Sequence, residues 1–368
     1  MTETIEIQRF HLWEKIGDRR LPISFDIEIT ARCNLNCRHC YINLPVADQQ
    51  AKARELTVEE IISIACQAVD LGAVWCLVTG GEPLLRDDFA DIYTGLKRLG
   101  LLVSVFTNAT LVTDEHIRLF EKYPPRDMEV TVYGVTRETF GRVTRRPGSF
   151  QRFMSGLNRL QAAGIGVRFK AMALRSNLHE QREIAAFSRA LTKDYFRWDP
   201  QLHLRFDGDP VRNEEIRAER LTPQQIVSLE EVDEERMSVM RKNCDILINE
   251  EFTQYGGDHL FHCGAGNHSF VVGYDGRFRL CSSLCAEGTT YDLRKGTLAE
   301  AWKDFVPGVR DLRSQRKEFL DSCRRCALIN LCRWCPAHAY LETGMLDGST
   351  PHFCEVAHLR ARGIRAEA

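Results

Sequence analysis

The chain has 368 residues, 44% of them hydrophobic and 27% charged, with a formal net charge of −2. This is the composition of an ordinary globular protein of one or two domains, and so small a net charge gives no general attraction to nucleic acid. The first twenty residues are too polar for a signal peptide and no apolar run nears the roughly 20 residues that span a bilayer, so the fourteen cysteines argue against a disulfide framework and for metal or cluster ligation in a reducing, anaerobic cytoplasm.

Residues 1–22 read as a short lead-in, too few for a separate peptide-binding domain. From residue 23 strands and helices alternate. Strands are predicted over 23–29, 74–78, 101–107, 128–133, 165–172 and 202–206, and helices over 57–71, 87–99, 113–122, 149–163 and 178–191. Thr57 followed by Glu59 and Glu60 is a helix start, and Gly72 and Gly164 sit where C-caps belong. Alternation at this spacing implies a parallel sheet. Six such units predict an open, partial (β/α)6 TIM-type barrel over 23–206, with its site at the C-terminal ends of the strands. Residues 207–262 open on the turn Asp207-Gly208-Asp209-Pro210 and turn highly charged, with helical periodicity from Thr222 to Ile248. They read as a helical bridge. Residues 263–354 form a small cysteine-rich domain, and 355–368 a tail.

The motifs fall at the expected strand ends. Cys33, Cys37 and Cys40 sit at C-x3-C-x2-C spacing just after the first strand. Thiolates are the usual ligands of iron–sulfur clusters, and three of them on a four-iron cluster leave one iron open. A structural zinc site wants four closed ligands, usually as paired C-x2-C knuckles, which this spacing fits poorly. Thr79-Gly80-Gly81-Glu82-Pro83-Leu84 follows the second strand and Thr107-Asn108-Ala109-Thr110 the third.

Together these motifs resemble the radical S-adenosylmethionine (radical SAM) superfamily. The resemblance implies a [4Fe–4S] cluster on Cys33, Cys37 and Cys40 whose open iron binds the amino and carboxylate groups of SAM. One electron then cleaves SAM to methionine and a 5′-deoxyadenosyl radical, which removes a hydrogen atom from the substrate. Gly80, Gly81, Glu82 and Pro83 correspond to the family's GGEP motif, which contacts the SAM amino group, with Glu82 as acceptor. Asn108 matches the family's TNG loop with Ala109 in place of Gly, or only caps a turn. Thr131 and Arg142 align roughly with positions holding the SAM carboxylate. Arg145 and Arg146 blur that register, and a solvated basic turn is the competing reading.

The second half resembles the SPASM domain of radical SAM peptide maturases. A hairpin over 270–279 turns at Asp275-Gly276 and leads to Cys281, and Cys323-x2-Cys326-x5-Cys332-x2-Cys335 follows, with Cys354 last. The final interval is x2 where the family has x3. The resemblance implies two auxiliary [4Fe–4S] clusters, an outer one on Cys323, Cys326, Cys332 and Cys354 and an inner one on Cys263, Cys281 and Cys335; paired zinc knuckles are the alternative. The inner cluster either keeps an open iron or takes Cys285, which is otherwise a candidate hydrogen donor. Cys66, Cys76 and Cys244 read as packed thiols.

Anaerobic sulfatase maturases carry a basic Asp after the G-x4-C cysteine. Here that residue is Ser282, which weakens a protein side-chain oxidase reading. The favoured expectation is a maturase that crosslinks a ribosomally made precursor peptide through a thioether or carbon–carbon bond. Epimerisation is the enzyme alternative, and a non-catalytic zinc or Fe–S module the distant one. The expected partners are the precursor peptide, bound by the bridge or the cysteine-rich surface or through a separate recognition protein, and a flavodoxin- or ferredoxin-type reductant.

Overall fold

The computed structural model describes residues 19–192, 196–248 and 257–365. Most of the lead-in, part of the bridge and the last three residues lie outside these. One nine-stranded sheet organises the molecule. Its first six strands in sequence are β1 (Ser24–Thr30), β2 (Trp75–Gly80), β3 (Leu102–Thr107), β4 (Met128–Thr131), β5 (Val167–Met172) and β6 (Arg197–Asp199), all parallel and in sequential order. Residues of all six strands line one cavity, so the sheet curls into a partial barrel.

Helices cover the outer face. Val58–Asp70 starts with a full capping box between Thr57 and Glu60. Gly72 and Gly164 both take positive φ, 107° and 68°, just past their helices. The outward residues of β1, Phe25, Ile27 and Ile29, are fully buried beneath this layer. Phe89, Tyr93 and Phe120 fill the space between helices Phe89–Arg98 and Asp114–Lys122 in edge-to-face and stacked contacts.

Two sequence expectations change here. Residues 202–206 are not the sixth strand. Leu202 and Leu204 alternate because they are buried against Val143, Leu174 and Ile216. The strand is Arg197–Asp199, which pairs with Lys170–Met172. A helix also spans Arg137–Thr144, a stretch to which the sequence reading assigned no element. Its two threonines, valine and glycine are weak helix formers; the Thr136 cap and burial of Phe140 and Val143 hold it.

The hairpin of the second half joins the same sheet. Strand β7 (Ser269–Val272) pairs in parallel with β1, opposite β2, and β8 (Arg277–Arg279) and β9 (Thr290–Asp292) continue antiparallel beyond it. Phe25 and Phe270 stack across the junction with ring centroids 5.4 Å apart. The charged stretch after Asp209 folds into helices Pro210–Glu219, Pro223–Glu231, Glu234–Lys242 and Cys244–Leu247. Helix Pro351–Arg365 carries Cys354 and packs on Pro223–Glu231, where Arg360 pairs with Glu230 in a buried bidentate bridge. The 354/355 boundary therefore cuts through one continuous element.

Candidate active site

The C-terminal ends of the parallel strands surround a cavity of about 330 Å³. Cys33, Cys37 and Cys40 form its rim on the loop after β1; Gly80 and Gly81 enter from β2, Asn108 from β3, and Thr131 from β4. The loop is tied down on several sides. Gly81 N–H donates to Thr30 O at 2.7 Å, Glu82 N–H to Arg32 O at 3.0 Å, and Asn36 N–H to Thr144 O at 3.0 Å. A Cβ on Gly80 would stand 2.1 Å from Thr30 O, and one on Gly81 2.3 Å from Arg32 O. The two glycines therefore let the end of β2 lie against the backbone that leads into the cysteine loop.

Glu82 does not face the cavity. It is fully buried and accepts from Leu84 N–H at 3.1 Å, Thr107 Oγ1 at 2.8 Å and Asn108 N–H at 2.7 Å. Burial lifts its carboxyl to about 7 against these three bonds, which favour the charged form. Glu82 thus locks the β3 end to the glycine turn, with Pro83 beginning a short 3-10 turn behind it. Asn108 does more than cap a turn. Its Oδ1 accepts from Thr110, while its Nδ2 donates to Asn34 Oδ1 at 3.0 Å and approaches Cys33 Sγ at 3.8 Å. Ala109 stands at φ 59°, the left-handed conformation that suits the glycine it replaces. Arg142 lies on helix Arg137–Thr144, half exposed and paired with Glu138, and is not brought to the cavity.

Cys33 and Cys37 are buried and Cys40 is half-buried. Burial pushes Cys33 and Cys37 well above the ordinary thiol range, and the neighbouring cysteines push them further. Among the described residues no His, Cys, Asp and Glu side chains gather tightly enough to hold a single metal ion. Three thiols on one loop suit a multi-iron cluster, which would take each thiolate on a different iron and supply the positive charge that makes thiolates favourable. His39, ring-tilted against Tyr133 at 5.6 Å, is held down to about 4 by burial.

The cavity floor was not anticipated. Asp26 and Glu28 on β1, Lys170 on β5, and Arg197 and Asp199 on β6 all line it. Lys170 Nζ lies 2.6 Å from Glu129 Oε1 and 3.7 Å from the centroid of the Phe106 ring. Glu28 is buried against Arg279 of β8. The signal was in the sequence: strands buried on both faces of a parallel sheet run continuously apolar, so the acids alternating in Phe25-Asp26-Ile27-Glu28-Ile29 mark a face turned to a polar lumen. Val271 and Ser282 line the cavity from the hairpin side, so the Ser282 residue noted in the sequence faces the site.

The remaining cysteines separate into two neighbourhoods. Cys335 is pushed up to about 11 by burial, with Cys281 and Cys263 as the nearby charges, and it lines with Cys263 a second cavity of about 350 Å³. Cys332 is pushed up to about 12 by burial, with Cys354, Cys323 and Cys326 around it. Gln201 belongs to both the main and the second cavity. Cys285 faces a third cavity, shared with Tyr41, Arg205 and Arg279, rather than the one lined by Cys263 and Cys335. Cys76 is buried on β2, Cys66 is half-buried, and Cys244 packs against the apolar cluster that holds Cys326 and Cys332.

Residues 27–187 match the family model of the Radical SAM superfamily. Over 153 residues the chain is 31% identical to the AdoMet-dependent heme synthase of Methanosarcina barkeri, covering 42% of this chain and 43% of that one. Over 195 residues it is 28% identical to the PqqA peptide cyclase of Rhizobium meliloti, covering 53% and 50%. The chain thus spans about half the length of these curated relatives. A second AdoMet-dependent heme synthase, from Nitratidesulfovibrio vulgaris, is 22% identical over 86% of this chain and 88% of its own. Streptococcus suis SuiB bound to its precursor peptide SuiA shares the fold with a TM-score of 0.69, at 15% identity over 94% of this chain and 78% of that one. No helix among the described residues is long and apolar enough to cross a membrane.

Proposed function

Because residues 27–187 form a Radical SAM superfamily domain, we propose that this enzyme is a peptide maturase that abstracts a hydrogen atom from a residue of a ribosomally made precursor peptide and joins that residue to another. The observation that carries the radical chemistry is the convergence of Cys33, Cys37 and Cys40 with Gly80, Gly81, Asn108 and Thr131 on one strand-end cavity. A [4Fe–4S] cluster held by the three cysteines, with SAM beside it, supplies a 5′-deoxyadenosyl radical. The protein's part is position and shielding. The glycine turn presents backbone to SAM, Asn108 fixes the cysteine loop, and the hairpin keeps water from the cavity. Asp26, Lys170 and Arg197 present charge to whatever enters.

The likeness to the PqqA peptide cyclase supports the peptide substrate. The two further cysteine neighbourhoods support auxiliary clusters, the outer on Cys323, Cys326, Cys332 and Cys354 and the inner on Cys263, Cys281 and Cys335. Clusters held there would supply an electron sink: one hydrogen atom leaves with 5′-deoxyadenosine, and closing the new bond then releases a proton to solvent and one electron to the sink, a loss of two hydrogens in all. Cys285 lines a separate cavity yet lies within reach of the Cys281 charge, so it either completes the inner cluster or serves as a free thiol. A flavodoxin- or ferredoxin-type carrier supplies the starting electron.

The test is co-expression with the short open reading frames beside the gene, followed by mass spectrometry. A peptide lighter by pairs of hydrogen atoms, with fragmentation blocked between the joined residues, is expected. An unchanged mass with an inverted residue supports epimerisation instead. The heme synthase similarity, which runs over most of both chains in one case, supports a second reading: a heme-precursor substrate. Processing of an iron porphyrin by the purified enzyme, with no change in any peptide, would select it.

A further inference from the structure

Two histidines meet where the main and second cavities adjoin. His203, just past β6, lines the main cavity with Cys33, Cys37, Cys40 and Ser282. His338, three residues after Cys335, lines the second with Cys263 and Cys335. Their rings stand edge to face with centroids 4.1 Å apart. His203 Nδ1 lies 2.9 Å from Oγ of Ser283, a buried hydroxyl on the loop after β8, and its Nε2 has no hydrogen-bond partner among the described residues. A serine hydroxyl accepts from Nδ1–H in both the neutral and the charged ring, so this bond survives when Nε2 takes a proton. Burial, then Arg220 and Arg333, hold the ring below the ordinary histidine range, while Asp199 and Glu342 pull the other way. His203 is therefore neutral at pH 7, with two carboxylates placed to favour the cation once it forms. His338 is held down to about 3, by burial first, so no second charge forms across the pair. The Tyr41 ring, 6.0 Å away, is the other titratable neighbour. The remaining groups of the main cavity are less free. Glu28 pairs with Arg279 and Lys170 with Glu129, Asp199 accepts from Gln201 N–H at 2.9 Å, and Asp26 feels the charges of both Lys170 and Arg279.

We propose that His203 is the proton acceptor for bond closure, taking at Nε2 the proton that the precursor peptide releases as its new bond forms. The proposal rests on the maturase reading of the same cavity and adds the base that reading lacks. One hydrogen atom leaves the peptide with 5′-deoxyadenosine. The carbon radical left behind bonds to sulfur or carbon of the second residue, whose S–H or C–H bond breaks. That proton passes to His203 and on to solvent, and one electron passes to an iron–sulfur sink. Because His203 touches His338, and His338 lines the cavity of Cys263 and Cys335, proton and electron leave the peptide through the same wall. Their joint departure avoids leaving an uncompensated charge in a buried site. The hydroxyl of Ser282, which also faces the cavity, takes up no proton near neutral pH.

The experiment uses the full iron-loaded enzyme, SAM, dithionite and the peptide identified by co-expression, made with deuterium on its carbons. Deuterium in 5′-deoxyadenosine reads hydrogen abstraction, and crosslinked peptide reads bond closure. His203→Gln is expected to keep deuterium transfer and iron content within about twofold of wild type. It should lower crosslinked peptide per 5′-deoxyadenosine by about a hundredfold or more, the usual worth of a positioned base. His203→Ala separates a lost base from lost packing: added imidazole should restore part of its crosslinking and leave that of wild type unchanged. The rescue should grow as pH rises and the added imidazole loses its proton. An unchanged ratio in His203→Gln overturns the proposal and leaves the maturase reading standing; a loss found in Asp26→Asn instead would give the role to that carboxylate. Deuterium transfer and crosslinking that fall together, with no rescue by imidazole, make His203 a packing residue and overturn the proposal too. A wild-type enzyme that moves no deuterium from any peptide overturns the maturase reading and this proposal with it.

Discussion

Asp26 is the least supported acid in the barrel. It is mostly buried, and no donor among the described residues reaches its carboxylate. Burial first, and the charge of Glu28 second, raise it from 3.8 to about 6, while Lys170 and Arg279 pull the other way. A carboxyl raised in the folded state binds its proton more tightly there than in the unfolded chain. Its contribution to stability is therefore full below about pH 4 and lost as pH rises through about 6. Asp26→Asn removes that loss. It should leave thermal stability near wild type at about pH 4 and raise it above about pH 6, by at most about 3 kcal/mol. Equal unfolding curves for the two proteins at about pH 7.5 would show that the carboxylate is supported after all. Gly156 gives a second residue-scale test. A Cβ there would stand 1.9 Å from the carbonyl of Ala109, in the loop that positions Asn108. Gly156→Ala should cost about 1–3 kcal/mol in chemical denaturation and loosen that loop.

At the scale of elements, the hairpin is bonded to the barrel by more than backbone pairing. Arg279 and Glu28 form an ion pair across β8 and β1 in which both side chains are under a tenth exposed. Removing one partner strands a buried charge, so Arg279→Leu should destabilise by about 3–5 kcal/mol, and Glu28→Gln added to it should recover part of the loss. A cost under about 1 kcal/mol in urea unfolding would mean that water reaches Glu28. This junction shows where sequence reading stopped. The hairpin itself was legible from Asp275-Gly276, because a tight turn is a local matter. That it adds to the barrel sheet depends on β7 meeting β1, about 240 residues earlier, which no local pattern encodes. The five longer parallel strands were legible from apolar alternation, while the three-residue β6 was hidden behind the burial pattern of Leu202 and Leu204. The cysteine loop was plain from spacing, yet Glu82 and Arg142 took up places that only tertiary packing decides.

Across the whole molecule, one sheet brings the Cys33–Cys40 loop and two further cysteine groups into a single body. Under the proposed function, the groups that do not hold SAM would act only after its cleavage, on the substrate or on the fold around it. Cys332→Ala should therefore keep SAM cleavage without substrate and lose modified peptide, with circular dichroism unchanged. Since structural metal sites contribute folding energy directly, iron content is read on the same sample. A folded variant that lacks the outer iron and still modifies peptide at the wild-type rate would remove that cluster from the chemistry. The central claim, that Cys33, Cys37 and Cys40 hold the cluster that cleaves SAM, is tested most directly by replacing all three with Ala. Iron and 5′-deoxyadenosine are then measured under dithionite. The account predicts the loss of one cluster, about four irons, and no 5′-deoxyadenosine above background. Continued formation of 5′-deoxyadenosine by that variant would contradict it.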